Sequence, residues 1–360
     1  MQLHALREKP GLIRATPVAI LEPSAARVPP PCPYFGRCGG CHYQHASYEA
    51  QLAAKRAILV EELWRQAKFR VESEIATVAG EPWGYRNRVQ LHIEEGRLGY
   101  REAGSHKLCA IDRCPIASPK INAAIAVVNA MMKDRRWPRF VRSIELFSDE
   151  DSVQLNVVDT ERPVAKQFFD WRAETIAGLV PGALDYRGEF RVSGNSFFQV
   201  NRFLLDALVE AALEGAQGET SIDLYAGVGL FTLPLARCFR HVAAIESGAG
   251  AVRDLRWNVE RAGLTNVRAE QQAAEKFLAS LDRASDFMLL DPPRAGLGPK
   301  MVAQLLRLRP AKLTIVACDP VTLGRDLAGL IEAGYRIEGL TMVDLFPQTF
   351  HLETIVRMAV

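Results

Sequence analysis

The chain has 360 residues, of which 48% are hydrophobic and 24% are charged, as in ordinary globular proteins. This length predicts about two domains, and the longest apolar stretches are about half as long as a membrane-spanning helix requires. The 44 basic and 42 acidic residues give a formal net charge of +2, so charge alone does not indicate a nucleic-acid partner.

The N-terminus predicts a cytoplasmic protein, because the first residues contain no apolar signal core. In that reducing compartment, disulfides are not expected among the seven cysteines. Residues 1–31 lead into the proline-rich stretch RVPPPCP, which predicts an extended connector.

Residues 32–190 form a second region, in which one helix is followed by antiparallel strands. The helix is expected over residues 48–66, where leucine and isoleucine recur at helical spacing. Residues 85–102 and 140–159 alternate apolar and polar side chains, as antiparallel strands joined by turns do.

The same region contains one dense basic patch, Lys133–Arg142, in which arginines alternate with a tryptophan. A solvated helix end explains this patch about as well as an RNA contact does. Four more arginines could hold phosphates or serve as surface charges: Arg86, Arg88, Arg97 and Arg101.

From residue 191 onwards, apolar runs alternate with amphipathic helices, which is typical of a parallel, doubly wound α/β sheet. Residues 221–238 predict a strand, a tight turn at Gly227 and Gly229, and a helix. A dinucleotide-binding turn would carry a third glycine where Thr232 stands, so the pattern favours a cofactor without a pyrophosphate.

Two acidic residues add to this cofactor site. Glu246 ends the next predicted strand, where a carboxylate can accept hydrogen bonds from both ribose hydroxyls; a solvated strand end is the alternative. Asp291 follows an apolar run and precedes two prolines, which fix the turn over the sheet edge. The glycine turn and these two acids together predict an S-adenosylmethionine-dependent methyltransferase.

Cys318 ends the fifth predicted strand, and strands of open α/β sheets carry reactive groups at their carboxyl ends. The alternative is a buried cysteine that acts as a small hydrophobe. Two final strands follow, with Pro347 at the bend between them and Glu353 just beyond it. One sheet edge is therefore expected to gather Asp291, Cys318 and Glu353.

These side chains suit methylation of uracil at carbon 5. That carbon is too weak a nucleophile to take a methyl group from a sulfonium unaided, but addition of a thiolate to carbon 6 makes an enolate that can. A base must afterwards remove the proton from carbon 5 so that the thiol can leave. The scheme needs one cysteine and one general base.

Five segments of the chain resemble the RNA uracil-C5 methyltransferase family in order and spacing: SFFQVN, DLYAGVGLF, DPPRAGL, ACDPVTLGRDL and DLFPQTFHLET. The resemblance implies a class I, Rossmann-like S-adenosylmethionine-dependent methyltransferase domain over residues 191–360. It implies that Cys318 is the nucleophile and Glu353 the proton-abstracting base. It also implies contacts to S-adenosylmethionine or the target base from Gln199, Tyr225, Gly227, Gly229, Glu246 and Asp291.

Two departures from the family pattern bear on activity. The chain has Ala-Cys-Asp-Pro at 317–320, where the family usually has Ser-Cys-Asn-Pro, and Leu230 replaces a frequent asparagine. A carboxylate of Asp319 close to the thiol would raise the pKa of that thiol, whereas a hydrogen-bonded Asp319 that points away would cost little. Two alternatives stay open: a catalytically impaired RNA-binding homologue, and an amino-methyltransferase that needs neither Cys318 nor Glu353.

Cys32, Cys38 and Cys41 have the spacing C-x5-C-x2-C, and Cys114 follows much later in the chain. Four thiolates suit either structural zinc or an iron–sulfur cluster, and the spacing alone does not decide between them. The motif resembles the 4Fe–4S signature of a subgroup of the same family. Cys109, five residues before Cys114, is an alternative fourth ligand.

The resemblance also assigns the remaining regions. Residues 32–190 become a smaller, mainly antiparallel central RNA-binding domain with the cysteine cluster, and residues 1–31 become the remnant of an absent or truncated TRAM-like barrel, with an isolated strand. Ribosomal RNA (23S) is predicted as the substrate ahead of tRNA, and a monomer without a membrane or obligate protein partner is expected. The target base must be flipped out of its stack, and Phe197 or Phe198 is predicted either to stack on it or to pack in the core.

Overall fold

A computed structural model describes residues 2–72 and 74–360 as four β-sheets with helices packed against them. The strands are β1 (Gln2–Lys9), β2 (Leu12–Ala19), β3 (Ala76–Val78), β4 (Arg88–Glu94), β5 (Arg97–Arg101), β6 (Leu108–Ala110), β7 (Val141–Ser148), β8 (Val153–Thr160), β9 (Leu184–Tyr186), β10 (Phe190–Val192), β11 (Gly218–Leu224), β12 (Phe239–Glu246), β13 (Val267–Gln271), β14 (Phe287–Leu290), β15 (Lys312–Ala317), β16 (Arg336–Val343) and β17 (Glu353–Ala359). The helices are α1 (Tyr48–Ala67), α2 (Pro119–Met131), α3 (Lys166–Thr175), α4 (Leu205–Leu213), α5 (Thr232–Cys238), α6 (Ala249–Arg261), α7 (Ala274–Ala279), α8 (Gly298–Leu308) and α9 (Pro320–Glu332). Within these two ranges of the chain, no helix is both long and apolar enough to cross a membrane.

The largest sheet has eight strands in the order β13-β12-β11-β14-β15-β17-β16-β3. The first five strands in that order are parallel, and β17 is antiparallel to both of its neighbours. All four side chains of the central strand β14 are buried, as expected where helices cover both faces of a parallel sheet. The α/β sheet predicted from residue 191 onwards is confirmed.

Two elements from earlier in the chain complete this sheet. Strand β3 pairs in parallel with β16 at the edge, and α1 packs on α9 with Leu59 and Leu63 in the core beneath it. The helix predicted over residues 48–66 therefore exists, but it packs with the C-terminal region. The boundary predicted between residues 190 and 191 does not separate these elements, because helical periodicity shows which face is buried and not which sheet buries it.

A second sheet has five antiparallel strands in the order β6-β5-β4-β7-β8. Ile121, Ile125 and Val128 of α2 share one buried core with Leu91 and Ile144 of this sheet. The antiparallel strands predicted over the corresponding stretches of the chain are confirmed.

At the N-terminus, β1 and β2 form an antiparallel hairpin. The expectation of an isolated strand is therefore wrong. Pro10 and Gly11 lie between the two strands, and Gly11 has a φ of 77°, a value that glycine adopts without steric cost. This turn returns the chain so that β2 gains a partner.

Candidate active site

Five of the predicted site residues lie at neighbouring strand ends along one edge of the large sheet. Tyr225 follows β11, Glu246 ends β12, and Asp291 follows β14. Cys318 follows β15, and Glu353 begins β17. The register of β15 and β17 ends with Ala317 opposite Thr354, so Cys318 and Glu353 are the next residues along the two strands. The strand order places Glu246 at one end of this row and Glu353 at the other.

At the Glu246 end, the glycine turn closes around a carboxylate. The N–H of Gly227 donates to Glu246 Oε2 at 3.1 Å, and the N–H of Gly248 donates to Oε1 at 2.6 Å. Gly229 has a φ of 102°, and a Cβ there would lie 2.7 Å from Leu255 Cδ1. Only glycine fits this position, and the resulting turn leaves room for a ligand to approach the backbone closely.

A cavity of about 690 Å³ opens beside this turn, with Gly227, Glu246 and Phe197 among its lining residues. Phe197 is 66% exposed, whereas Phe198 is buried against Tyr186. Of the two phenylalanines considered for stacking on the base, Phe197 is accessible and Phe198 packs in the core.

Gln199 is buried and Tyr225 is half-buried. Tyr225 has a φ of 64°, which is uncommon for a residue other than glycine. Asp223, two residues before it, is fully buried and accepts a hydrogen bond from the Thr232 hydroxyl, and burial raises the pKa of Asp223 to about 7. The motifs of the sequence do not single out Asp223, although a carboxylate within an apolar strand is itself a signal of a functional or paired acid.

The ionisable groups at the other end of the row resist losing their protons. Burial, followed by the charge of Glu353, raises the pKa of the Cys318 thiol to about 11. Burial also raises the pKa of Asp291 to about 7 and the pKa of Glu353 well above its usual range. The guanidinium of Arg294 acts in the opposite direction and lowers the pKa of both Cys318 and Glu353. This part of the site would therefore be stabilised in its ionised form by a cation.

The carboxylate of Asp319 is engaged in capping helix α9. Its Oδ1 accepts hydrogen bonds from the N–H of Val321 at 3.0 Å and of Thr322 at 2.9 Å, which is the usual N-cap arrangement. Of the two possibilities that the sequence left open for Asp319, the structure supports the hydrogen-bonded one. Asparagine, the usual residue of the family, can accept the same bonds, so the exchange costs little.

Helix α9 also holds the loop that follows Asp291. Asp326 accepts a hydrogen bond from the N–H of Leu297 at 2.6 Å, and the hydroxyl of Thr322 donates to the carbonyl of Arg294 at 3.2 Å. Because α9 begins directly after the thiol-bearing residue, one helix fixes both the thiol and the Asp-Pro-Pro-Arg loop.

The loop before Glu353, residues 344–352, is held by a buried ion pair to α1. Lys55 Nζ lies 2.6 Å from Asp344 Oδ1 and donates to the carbonyl of Phe346 at 3.0 Å. The hydroxyl of Tyr48 donates to Asp344 Oδ2 at 2.9 Å. Three contacts from one helix therefore position the start of this loop.

The middle of the same loop is tied to the segment after Cys41. The N–H groups of His42 and Tyr43 donate to the carbonyl of Gln348 at 2.8 and 2.9 Å. The side-chain amide of Gln51 donates to Gln348 Oε1, and Gln51 Oε1 accepts from the Gln348 N–H, both at 3.0 Å. The cysteine-bearing segment thus contacts the loop that leads to the predicted base.

The four predicted cluster ligands line one cavity of about 190 Å³: Cys32, Cys38, Cys41 and Cys114. Cys109 instead accepts a hydrogen bond from Arg37 Nε at 3.3 Å. Burial raises the pKa of Cys38 to about 11 and the pKa of Cys41 to about 12. Over residues 2–72 and 74–360, no group of three or more His, Cys, Asp or Glu side chains is arranged to hold a metal ion. The cluster therefore stays a prediction.

Most of the arginines considered for RNA phosphates are engaged within the protein. Arg88 is buried and pairs with Glu145 at 2.8 Å. Arg97 and Arg101 pair with acids of their own hairpin, and Arg86 lines the cysteine cavity. Arg88 in particular is a structural residue.

Two residues that support the site, Arg294 and Lys55, are not among those predicted from the sequence. Arg294 does carry a signal, since it directly follows the Asp-Pro-Pro turn. Lys55 carries none, because a lysine on an amphipathic helix usually lies on the solvated face.

Comparison with known proteins is consistent with this geometry. The family model described as tRNA (Uracil-5-)-methyltransferase matches residues 180–359. An uncharacterized RNA methyltransferase of Streptomyces avermitilis is 35% identical over 95% of this chain and 86% of that protein. Another, from Streptomyces coelicolor, is 36% identical over 95% of this chain and 81% of that protein.

The resemblance to a solved structure extends over the whole chain. That structure is the Pyrococcus abyssi tRNA (uracil-54, C5)-methyltransferase in complex with S-adenosyl-L-homocysteine. The match has a TM-score of 0.76 at 25% identity and covers 100% of this chain and 92% of that one. It confirms the predicted fold class.

Proposed function

This chain belongs to the tRNA (uracil-5-)-methyltransferase family, and we propose that it methylates carbon 5 of a specific uridine through a covalent adduct on Cys318. Membership of that family makes it an S-adenosylmethionine-dependent RNA methyltransferase. The observation that carries the proposal is the register of β15 and β17: Ala317 pairs with Thr354, so Cys318 and the buried acid Glu353 adjoin the last pair, and the charge of Glu353 acts on the thiol. Methylation of an amino group requires neither a cysteine nucleophile nor such a base.

Glu246 and the glycine turn are proposed to hold the nucleoside of S-adenosylmethionine, which supplies the methyl group. The carboxylate of Glu246 already accepts hydrogen bonds from Gly227 and Gly248, so it is oriented towards the ligand side of the turn. Gln199, Tyr225 and Asp291 are predicted contacts to the same cofactor or to the base. The positive sulfonium beside these acids would lower the pKa of the thiol, because a nearby cation favours the thiolate.

Cys318 and Glu353 divide the chemistry. The thiolate Sγ of Cys318 adds to carbon 6 of uracil, and the displaced π electrons make carbon 5 nucleophilic enough to attack the methyl group of S-adenosylmethionine. The bond from the methyl group to the sulfonium breaks, its electron pair returns to that sulfur, and S-adenosylhomocysteine is the leaving group. The carboxylate of Glu353 then removes the proton from carbon 5, the bond from Sγ to carbon 6 breaks, and its electrons return to sulfur. Burial raises the pKa of Glu353 above its usual range, which makes its carboxylate a stronger base once nearby positive charge, such as that of Arg294, keeps it ionised.

A trapping experiment tests this scheme. The protein is mixed with S-adenosylmethionine and 5-fluorouridine-substituted transcripts, in which fluorine at carbon 5 cannot leave as a proton. We expect a denaturation-resistant adduct between protein and RNA that maps to Cys318. Cys318→Ala should abolish the adduct, and the matched control Cys238→Ala, at an exposed cysteine, should keep it.

Other outcomes would separate the alternatives. Methylation by Cys318→Ala would indicate amino-methyltransferase chemistry. Binding of S-adenosylmethionine and RNA without methylation or adduct would indicate a catalytically impaired RNA-binding homologue.

The RNA substrate is a finer proposal, for which 23S rRNA and tRNA are the two candidates. The cysteine motif supports ribosomal RNA, and the likeness to the Pyrococcus abyssi tRNA (uracil-54, C5)-methyltransferase supports tRNA. A competition experiment distinguishes the two substrates. Both fluorinated transcripts are mixed with a limiting amount of protein, and only the true substrate accumulates in the covalent adduct. We propose a cytoplasmic monomer for either substrate.

We also propose that the cysteine cavity holds a structural 4Fe–4S cluster. The sharing of one cavity by Cys32, Cys38, Cys41 and Cys114 supports this, since four cysteine thiolates are the usual ligands of such a cluster. Anaerobically reconstituted protein should contain iron and acid-labile sulfide in equal amounts. Cys114→Ser should lose both and Cys109→Ser should keep both. Zinc without sulfide would contradict the cluster.

A further inference from the structure

A basic groove lies on the five-stranded sheet, outside the candidate active site. It has a volume of about 730 Å³ and lies between residues 133–140, which join α2 to β7, and residues 161–165, which join β8 to α3. We call it the arginine groove, after the four arginines that line it: Arg135, Arg136, Arg139 and Arg162.

The positive charge of this groove is only partly neutralised. Arg136 pairs with Asp134 at 2.7 Å, and Glu161, the acid among the groove-lining residues, pairs with Arg142 outside the groove. The side chains of Arg135 and Arg139 are exposed, and neither forms an ion pair or hydrogen bond with the described residues. On a chain whose net charge is only +2, this is a local concentration of available cations.

Aromatic rings order the guanidinium groups of the groove. The Arg136 guanidinium lies 4.4 Å from the centre of the Trp171 ring, and the Arg162 guanidinium lies 4.2 Å from the centre of the Phe140 ring. Guanidinium groups stacked in this way lose less freedom when they bind an anion, and their planar donors match the oxygens of a phosphate.

Helix α3 separates the arginine groove from the cavity of the candidate cofactor site. Phe168 and Trp171 of α3 line the groove, whereas Phe169 and Arg172 line the cavity that also contains Glu246. The two spaces are therefore about one helix diameter apart, on the order of 10 Å. A single polynucleotide chain can cross α3 and occupy both.

We propose that the arginine groove binds the phosphate backbone of the substrate RNA, several nucleotides away from the target uridine. The proposal rests on the proposed function, because it takes the occupant to be the RNA whose uridine enters the active site. Exposed arginines, some of them unpaired and others stacked on aromatic rings, are typical of surfaces that follow a nucleic-acid backbone.

The test compares RNA binding by an Arg135→Ala/Arg139→Ala variant with that of the wild type. A matched control, Arg283→Ala/Arg336→Ala, removes two exposed arginines from the opposite edge of the large sheet. Affinity is measured with unmodified tRNA and 23S rRNA transcripts at several KCl concentrations, and methylation is measured with saturating RNA. Melting temperatures show whether each variant is folded.

We expect the groove variant to bind the methylated transcript about tenfold more weakly, with a salt dependence whose slope is smaller by about 1.5, because two phosphate contacts are lost. Its kcat at saturating RNA should equal that of the wild type and of the control. An unchanged slope and affinity would overturn the proposal and leave the groove to another ligand, such as an acidic protein. A lower kcat with unchanged affinity would overturn it too. If the wild type methylates neither transcript, the proposed function fails. The salt dependence of RNA binding by the wild type and the groove variant still tests whether the arginine groove contacts phosphates.

Discussion

Lys55→Met is expected to destabilise the protein strongly and to displace the loop that leads to Glu353. Both Lys55 and Asp344 are fully buried, and Nζ lies 2.6 Å from Oδ1. Methionine has a similar length and no charge. The variant would therefore keep Asp344 in the interior with the Tyr48 hydroxyl, 2.9 Å from Oδ2, as its remaining side-chain partner.

The loss of stability expected for Lys55→Met follows from the buried charge of Asp344, which would have no ion-pair partner. Removing one partner of a buried ion pair costs about 3–5 kcal/mol of the free energy of unfolding. At about 2 °C per kcal/mol for a long chain, the melting temperature should fall by about 6–10 °C. Lys55→Met/Asp344→Asn removes the orphaned charge and keeps an acceptor for Tyr48, so it should recover most of that loss.

Thermal melts of four proteins check this expectation: the wild type, Lys55→Met, the double variant and Arg65→Met. Arg65 lies on the same helix and pairs with Glu61, but both side chains are largely exposed, so its loss should cost less than about 1 kcal/mol. At a temperature where all four are folded, Lys55→Met should also show a lower kcat for methylation. Its affinity for S-adenosylmethionine should change little, because the glycine turn lies at the other end of the sheet edge.

Two results would refute this reasoning. A melting temperature for Lys55→Met within 2 °C of the wild type would mean that water or another group solvates Asp344, contrary to its burial. A double variant no more stable than Lys55→Met would mean that lost packing, and not an unpaired charge, causes the damage.

Three further predictions concern the site itself. Asp319→Asn should change kcat less than about threefold, whereas Asp319→Ala should cost about 1 kcal/mol of stability in a melt, because the side chain caps α9. Gly229→Ala should weaken S-adenosylmethionine binding in a calorimetric titration more than Gly227→Ala does. Both positions have a positive φ, but a Cβ at Gly229 would also displace two leucine side chains at 2.7 and 2.9 Å, whereas Gly227 has open space and its change should cost only about 1–2 kcal/mol. Arg294→Met should raise the pKa of Cys318, so less thiolate is present at pH 8. Alkylation of Cys318 by iodoacetamide, measured by mass spectrometry, should therefore be slower than in the wild type. An unchanged rate would contradict the role of Arg294.

The parts of the site that could be predicted from sequence are those marked by local patterns. Gly227, Gly229 and Glu246 lie in a strand–turn–helix–strand pattern whose geometry is fixed within about 30 residues. Cys318 follows a short apolar run rich in β-branched residues, which favours a buried strand of the sheet and so a position for Cys318 at the carboxyl edge.

The parts that escaped prediction depend on contacts between distant stretches of the chain. Phe197 and Phe198 are adjacent and identical, and only the fold decides that one faces the cavity and the other the core. Lys55 looks like an ordinary solvated lysine until its partner Asp344, far along the chain, is known. The role of Asp319 likewise depended on which backbone N–H groups its side chain could reach.

Contacts between the cysteine-bearing segment and the loop before Glu353 suggest a structural role for the proposed cluster. The segment that follows Cys41 donates two backbone hydrogen bonds to Gln348, and the loop containing Gln348 ends at Glu353. Residues 32–46, which include that segment, contain the adjacent glycines Gly39 and Gly40 and form no regular helix or strand, so local structure alone does little to hold them in place. A cluster bound by Cys32, Cys38, Cys41 and Cys114 would hold this segment against the five-stranded sheet, and the segment would in turn hold the loop that contains Gln348. Loss of the cluster should therefore lower methylation through the position of Glu353, without any redox step.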